Sequence, residues 1–152
     1  MLVDIFSAIA KEAESFLTRK GLSAKVKIDE PPSQAVNADR VYIAMQEYGI
    51  DPLLKNHLPN PDDPEPGPNF AHLISFFVLP VSKSYKMRLQ LLEAIVELFE
   101  TKPFFNMMIR NNEYELSISM KSPSAPDYQQ FWLALQQPSQ PVVFYQARVS
   151  ST

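Results

Sequence analysis

The chain has 152 residues, 45% apolar and 20% charged, a length and mix that suit one ordinary globular domain with a real core. Its formal net charge of -3 lacks the basic surplus of a primary nucleic-acid binder, and the absence of cysteine excludes disulfides and thiol chemistry. No stretch has the apolar length of a membrane-spanning helix.

The opening segment predicts an amphipathic helix. Ile5, Phe6, Ile9, Ala13, Phe16 and Leu17 recur at three- and four-residue steps, with Lys11, Glu12, Ser15 and Arg19 opposite. The polar face mixes both signs, which favours packing on the chain's own core over a membrane surface. Lys20-Gly21 supplies a helix stop. Asp4 and the early Lys11, Glu12 and Glu14 make this start a poor signal peptide, so synthesis in the cytoplasm is expected. Next, Ala24, Val26 and Ile28 alternate with Lys25, Lys27 and Asp29 and predict a half-buried strand, stopped by Pro31-Pro32. A second strand is expected from Val41 to Tyr48, broken by Gly49, Asp51 and Pro52.

The tract "HLPNPDDPEPGPNF" follows, with five prolines from Pro59 to Pro68 and Asp62, Asp63 and Glu65 between them. Neither half of the chain has enough elements for a core of its own, so a domain boundary there is not expected. The reading is a single domain over 1–152 with a proline-rich acidic loop at 57–69. A rigid loop that touches a neighbour and plain disorder fit that composition equally.

Leu73, Ile74, Phe76, Phe77, Val78 and Leu79 form a continuous apolar run, which predicts a central strand covered on both faces. The clearest helix comes next, with Ser84 as N-cap, a stripe of Leu91, Leu92, Ile95, Val96, Leu98 and Phe99, and a stop at Pro103. Asn111-Asn112 reads as a turn before a strand that alternates Tyr114, Leu116, Ile118 and Met120 with Glu115, Ser117, Ser119 and Lys121. A third helix starts at Ser124 and Pro126 and aims Tyr128, Phe131, Trp132 and Leu135 one way. The last strand puts Val143, Tyr145, Ala147 and Val149 on one face and Phe144, Gln146 and Arg148 on the other. The expected fold is α+β, with a mixed or antiparallel sheet of about five strands and about three helices.

Chemistry is sparse. His57 and His72 have no metal-ligand spacing, and no cysteine completes a set, so local hydrogen bonding is the plainer reading of both. Gly21, Gly49 and Gly67 are too dispersed for a phosphate loop. Asp62 and Asp63 read as solvated charges rather than an acid–base pair. Trp132 beside Phe131 reads as core before ligand platform. No catalytic residue, cofactor or metal is assigned, and the chain is expected not to be an enzyme. What remains is surface for association, including an exposed last strand, 142–150, expected to be open to pairing with a partner chain.

Three stretches carry a family resemblance. "VYIAMQEYGIDPLLKNHLP" resembles a strand, hydrophobic turn and basic residue–asparagine pair of the tail-cap, or terminator, proteins of extracellular contractile injection systems. "PNFAHLISFFVLPVSKSYKMRLQLLEAIVELFETKPFF" is similar to that family's proline, apolar strand, polar turn and long helix. "YELSISMKSPSAPDYQQFWLALQQPSQPVVFYQARVSST" is similar to its strand, Trp-bearing helix, proline break and closing strand. Together they cover most of the chain in order. Two departures stand out: Ile74, Ser75, Phe76 and Phe77 replace a more polar strand pattern, and Lys55 stands where the family has arginine, which removes bidentate reach.

The resemblance implies a tail-terminator-like fold and a structural role. It implies a ring, a homohexamer in the family, that caps the inner tube and sheath distal to the baseplate, with no nucleic acid, membrane or cofactor. It implies assembly in the cytoplasm and incorporation into a phage-tail-like particle that is released from the cell. Interface candidates are Lys55, Asn56, His57, Asp62, Asp63 and Glu65 in and before the loop, and Phe144, Gln146 and Arg148 on the last strand. Two other readings stand beside it: a small-molecule-binding or enzymatic domain with a pocket near His72 and Trp132, and an assembly chaperone of the same particle.

Overall fold

The computed structural model describes residues 1–32, 37–50 and 71–151, the side chains of Ala71 and Ser151 excepted. Among them the order is α1 (Leu2–Arg19), β1 (Lys25–Ile28), β2 (Arg40–Ile50), β3 (Ala71–Val81), α2 (Tyr85–Thr101), β4 (Phe104–Ile109), β5 (Asn112–Lys121), α3 (Ala125–Leu135) and β6 (Val143–Ser151). The strands form one sheet in the order β1-β2-β3-β6-β5-β4. β1 runs parallel to β2 and every other neighbouring pair is antiparallel. The fold is therefore α+β with a mixed sheet, and it has six strands where the sequence predicts about five.

The helix ends follow local chemistry. At the end of α1, Gly21 takes φ 78°, which costs a residue without Cβ nothing. Leu22 N–H then reaches Leu17 C=O at 2.8 Å and Gly21 N–H reaches Thr18 C=O at 3.0 Å, the paired bonds of a Schellman stop. Ser84 caps α2 by accepting from Met87 N–H, and Ser124 caps α3 by accepting from Asp127 N–H.

The larger core lies on one face of the sheet. Ile5, Ile9, Ala13 and Leu17 of α1 and Leu91, Ile95, Leu98 and Phe99 of α2 bury Ile43, Ile74, Phe76, Val78, Leu116, Tyr145, Ala147 and Val149 beneath them. Rings interlock there: Phe6 meets Phe76 edge-on at 5.8 Å and Phe99 meets Tyr145 at 4.9 Å. Exposed ion pairs, Lys20–Glu97 and Lys102–Glu12, both 2.7 Å, tie α1 to α2 and to its trailing end. Such pairs contribute about 0–1 kcal/mol each, far less than the apolar stripes.

α3 covers the opposite face, but only at one corner. Trp132, Tyr128, Phe131 and Leu135 pack on Ala44, Phe77, Leu79 and Phe144. This is why β3 is apolar on both sides: α1 and α2 take its even-numbered residues and α3 takes Phe77 and Leu79.

Three expectations need correction. β2 does not stop at Tyr48; it passes through Gly49 to Ile50, with a bulge between Met45 and Glu47. A strand not expected from the sequence, β4, pairs with β5 through a two-residue turn in which Arg110 (φ 48°) and Asn111 (φ 67°) are both left-handed, the hairpin geometry that matches strand twist. The turn thus sits one residue earlier than Asn111-Asn112. Finally, β6 is not an edge. It lies between β3 and β5 with both sides hydrogen-bonded, so it cannot accept a strand from another chain.

Tyr145 is 2% exposed and its hydroxyl has no hydrogen-bond partner among the described residues, while burial, and then the charge of Glu100, holds its ionisation well above the usual tyrosine range. The folded form thus prefers the neutral phenol, and stability linked to Tyr145 is intact below about pH 10 and falls as pH rises beyond it. Tyr145→Phe is expected to match or exceed the parent by about 1 kcal/mol in urea unfolding at pH 7, since it removes an unpaired buried hydroxyl. It should also flatten the alkaline loss of stability. A clear destabilisation at pH 7 would mean the hydroxyl is paired.

Candidate assembly surface

The strand registers align side chains in rows across the face that carries α3. One row runs Ala44, Phe77, Phe144, Lys121 and lies at the α3 corner. The next runs Glu47, Ser75, Gln146, Ser119. The one after runs Gly49, Leu73, Arg148, Ser117, Phe104. Beyond it Ser150, Glu115 and Asn106 align, and then Glu113 and Met108. The face therefore switches from aromatic under α3 to serine, amide and charge beyond it. Antiparallel sheets with one solvated face have this alternation.

The open part has a polar centre and an apolar margin. Gln146 is half-buried and Arg148 is exposed. Lys121 Nζ donates to Ser75 Oγ at 3.4 Å, which gives the buried serine its partner. Along the β4 margin, Phe104 is 61% and Met108 67% exposed, in a six-residue strand without a charge. Edge strands of stable monomers are normally guarded by charge, bulges or cover. β1, the other outermost strand, is guarded: it carries Lys25 and Lys27, and Val26 N–H donates to the Glu14 carboxylate at 3.2 Å. Among the described residues the β4 edge has no such guard. Beside it on the other face, Ala8, Ile9, Lys11, Glu12 and Ser15 of α1 and Phe105, Asn106 and Met107 of β4 line a groove of about 300 Å³.

Of the residues singled out in the sequence, Gln146 and Arg148 meet on the open face. Phe144 shares their side of β6 but is closed over by α3, with Phe131 at 4.9 Å, so it is a packing residue of this chain. Lys55, Asn56, His57, Asp62, Asp63 and Glu65 lie outside the described residues. The suggested pocket near His72 and Trp132 does not form. His72 alternates with Ile74 and Phe76 on the α1 face, where Nδ1 bonds the Tyr48 hydroxyl at 2.5 Å, whereas Trp132 packs on the other face. Sequence reasoning missed Phe104 and Met108 because it missed β4. The signal was a six-residue β-prone run between Pro103 and an Asn-containing turn.

Among the described residues no cluster of three or more His, Cys, Asp or Glu could hold a metal, and no helix is long and apolar enough to cross a membrane. The described residues thus present an open, partly polar sheet face with an apolar edge at β4, on a domain with two helices packed behind it. The chain belongs to the Pvc16 N-terminal domain family, whose profile matches residues 4–151. Its fold is that of the sheath/tube terminator of an extracellular contractile injection system, PVC, solved in the extended state, at a TM-score of 0.73 and 12% identity. It is also similar to the tube-terminating cap of the anti-feeding prophage, at a TM-score of 0.69 and 12% identity. Each comparison covers 100% of this chain but 57% and 55% of those chains, so the protein described here spans little more than half their length. No curated protein matches the sequence.

Replacing Phe104 and Met108 together by serine should shift unfolding by no more than about 0.5 kcal/mol, the range of ordinary surface changes. A loss above about 2 kcal/mol in urea unfolding would place these side chains in the core instead.

Proposed function

We propose that this chain is a structural cap, a terminator subunit that ends the tube and sheath of a contractile injection system. The observation that carries the reading is the match of residues 4–151 to the Pvc16 N-terminal domain family, on a fold shared with two terminating caps. The chain acts as one unit over its 152 residues, with the tract at 57–69 as a surface loop. It works without a cofactor and without catalysis.

The physical requirements of a cap agree with the surface. A terminator must bind the last ring of a polymer and present nothing that the next ring can bind. One rigid body with two unlike faces meets this: the helical α1/α2 side is closed and ion-paired, while the sheet side is open. Copies join by a heterologous contact whose rotation closes a ring, which in this family is a hexamer. The inner tube and the sheath are the two other partners. Each contact is modest, and repetition around the ring makes the whole tight, since linked sites bind with avidity. Strand addition from a partner, if used, falls to β4 and not to β6. Assembly takes place in the cytoplasm before the particle leaves the cell.

A strain lacking the gene is expected to yield tubes and sheaths of irregular length, or sheaths that contract prematurely, in negative-stain micrographs. Stable sheathed particles of normal length without this chain would contradict the cap.

A further inference from the structure

On the face that carries α3, two small charge clusters stand at opposite corners of the sheet. On β1, Lys25 and Lys27 flank Val26, which packs on the α1/α2 core, so both lysines take the α3 side. They align with Arg40 and Tyr42 of β2. On β5, Glu113 and Glu115 alternate with Tyr114 and Leu116 of that same core, so both glutamates take the α3 side too. They align with Met108 and Asn106 of β4. All four charged residues are exposed. An exposed charge of opposite sign stands next to each pair: Asp29 just past β1, and Arg110 in the β4–β5 turn.

The two clusters cannot meet within one chain. Lys25 lies level with Arg40 and Val81, and Glu115 lies level with Ser150 and Ala71. They therefore sit at opposite ends of β3, roughly 33 Å apart at strand rise. Across the sheet they are separated by four strand spacings, roughly 19 Å. The acids nearer the lysines have other work: Glu14 accepts from Val26 N–H at 3.2 Å, and Asp39 from Ser82 Oγ at 2.6 Å. Among the described residues Lys25, Lys27 and Glu115 form no ion pair, while Glu113 also holds a contact inside the chain.

The order of the charges matches as well as their sign. β1 runs parallel to β2, and three antiparallel steps lead from β2 through β3 and β6 to β5, so β5 runs opposite to β1. Along one direction the first corner reads Lys25, Lys27, Asp29, and the second reads Glu115, Glu113, Arg110. That is plus, plus, minus against minus, minus, plus, and alternate residues of a strand repeat at the same spacing on both. A heterologous contact needs two unlike surfaces on opposite sides of a subunit, and the turn between neighbours in a hexamer is small enough to keep both strand directions in the same sense. Complementary charge fixes the register of such contacts. We infer that the Lys25–Lys27 corner of one copy receives the Glu113–Glu115 corner of the next, with Asp29 beside Arg110. This rests on the ring proposed above and names its contact. Each exposed pair is weak, and repetition around the ring adds them. The lysines that bar strand addition at β1 thus bind a neighbour through side chains alone.

Charge reversal in the full chain tests the contact. Lys25→Glu with Lys27→Glu makes both corners acidic, and Glu113→Lys with Glu115→Lys makes both basic. Each double variant is expected to weaken self-association at least about tenfold in light scattering, alone or on isolated tube ends. The quadruple variant, and an equimolar mixture of the two doubles, should recover to within about threefold of the parent. Association of the parent should also weaken as salt rises, because exposed charges are screened, and this readout needs no variant to fold. Either double associating as the parent does, no recovery in both the quadruple and the mixture, or association indifferent to salt overturns the contact. Rings that still form in those cases leave the cap standing. A parent chain that stays monomeric even on tube ends overturns the ring, and this contact with it.

Discussion

The structure depends on β3 being buried from two sides. Ile74, Phe76 and Val78 face α1 and α2, and Phe77 and Leu79 face α3. Each such side chain contributes about 1.5–3 kcal/mol on burial, so this strand fixes the sheet's centre and both covering layers. β2 and β6 pair on its two sides, and the register of β6 then sets β5 and β4. A one-residue slip would turn Phe77 and Leu79 toward α1 and Ile74, Phe76 and Val78 toward the polar half of the sheet. The polar rows of the open face thus follow from the apolar run of β3.

α3 is shorter than the sheet is wide, and that mismatch leaves the polar rows of the sheet open. Its aromatics close over Phe144 and Phe77 but stop before Gln146, Ser119 and Arg148. The switch along β6 from Phe144 to Gln146 and Arg148 marks where cover ends. With one edge guarded by Lys25, Lys27 and the Glu14 carboxylate and the other lined by Phe104 and Met108, the two outermost strands among the described residues are chemically unlike. A ring of heterologous contacts needs that polarity, because a subunit with two equivalent edges would pair face to face or form fibres.

Much of this was legible in the sequence. The three helices, the serine caps of α2 and α3 and the Lys20-Gly21 stop are local chemistry, and they stand where the residues place them. The alternation of β6 also assigned both of its faces. What the sequence could not show is order across the sheet. β6 has a polar outward face because α3 is short, and not because it lies at an edge; periodicity is the same in both cases. β4 escaped because Phe104-Phe105 and Met107-Met108 are apolar on both faces, one half-buried under α1 and one exposed. Neither face of that strand is polar, so the period-two alternation that marks a half-buried strand is missing from it. The pairing of His72 with Trp132 failed for a related reason: the sequence does not show which face of the sheet each side chain takes, and the two fell on opposite faces.

The central claim is that the open face and its β4 edge bind neighbours while the α1/α2 side stays free. Hydrogen–deuterium exchange of the chain alone and bound to tube ends tests it most directly. The account predicts new protection in β4 and β5, within Phe104–Lys121, with α1 and α2 unchanged. Protection confined to α1 and α2, with β4 exchanging as in the free chain, would contradict it.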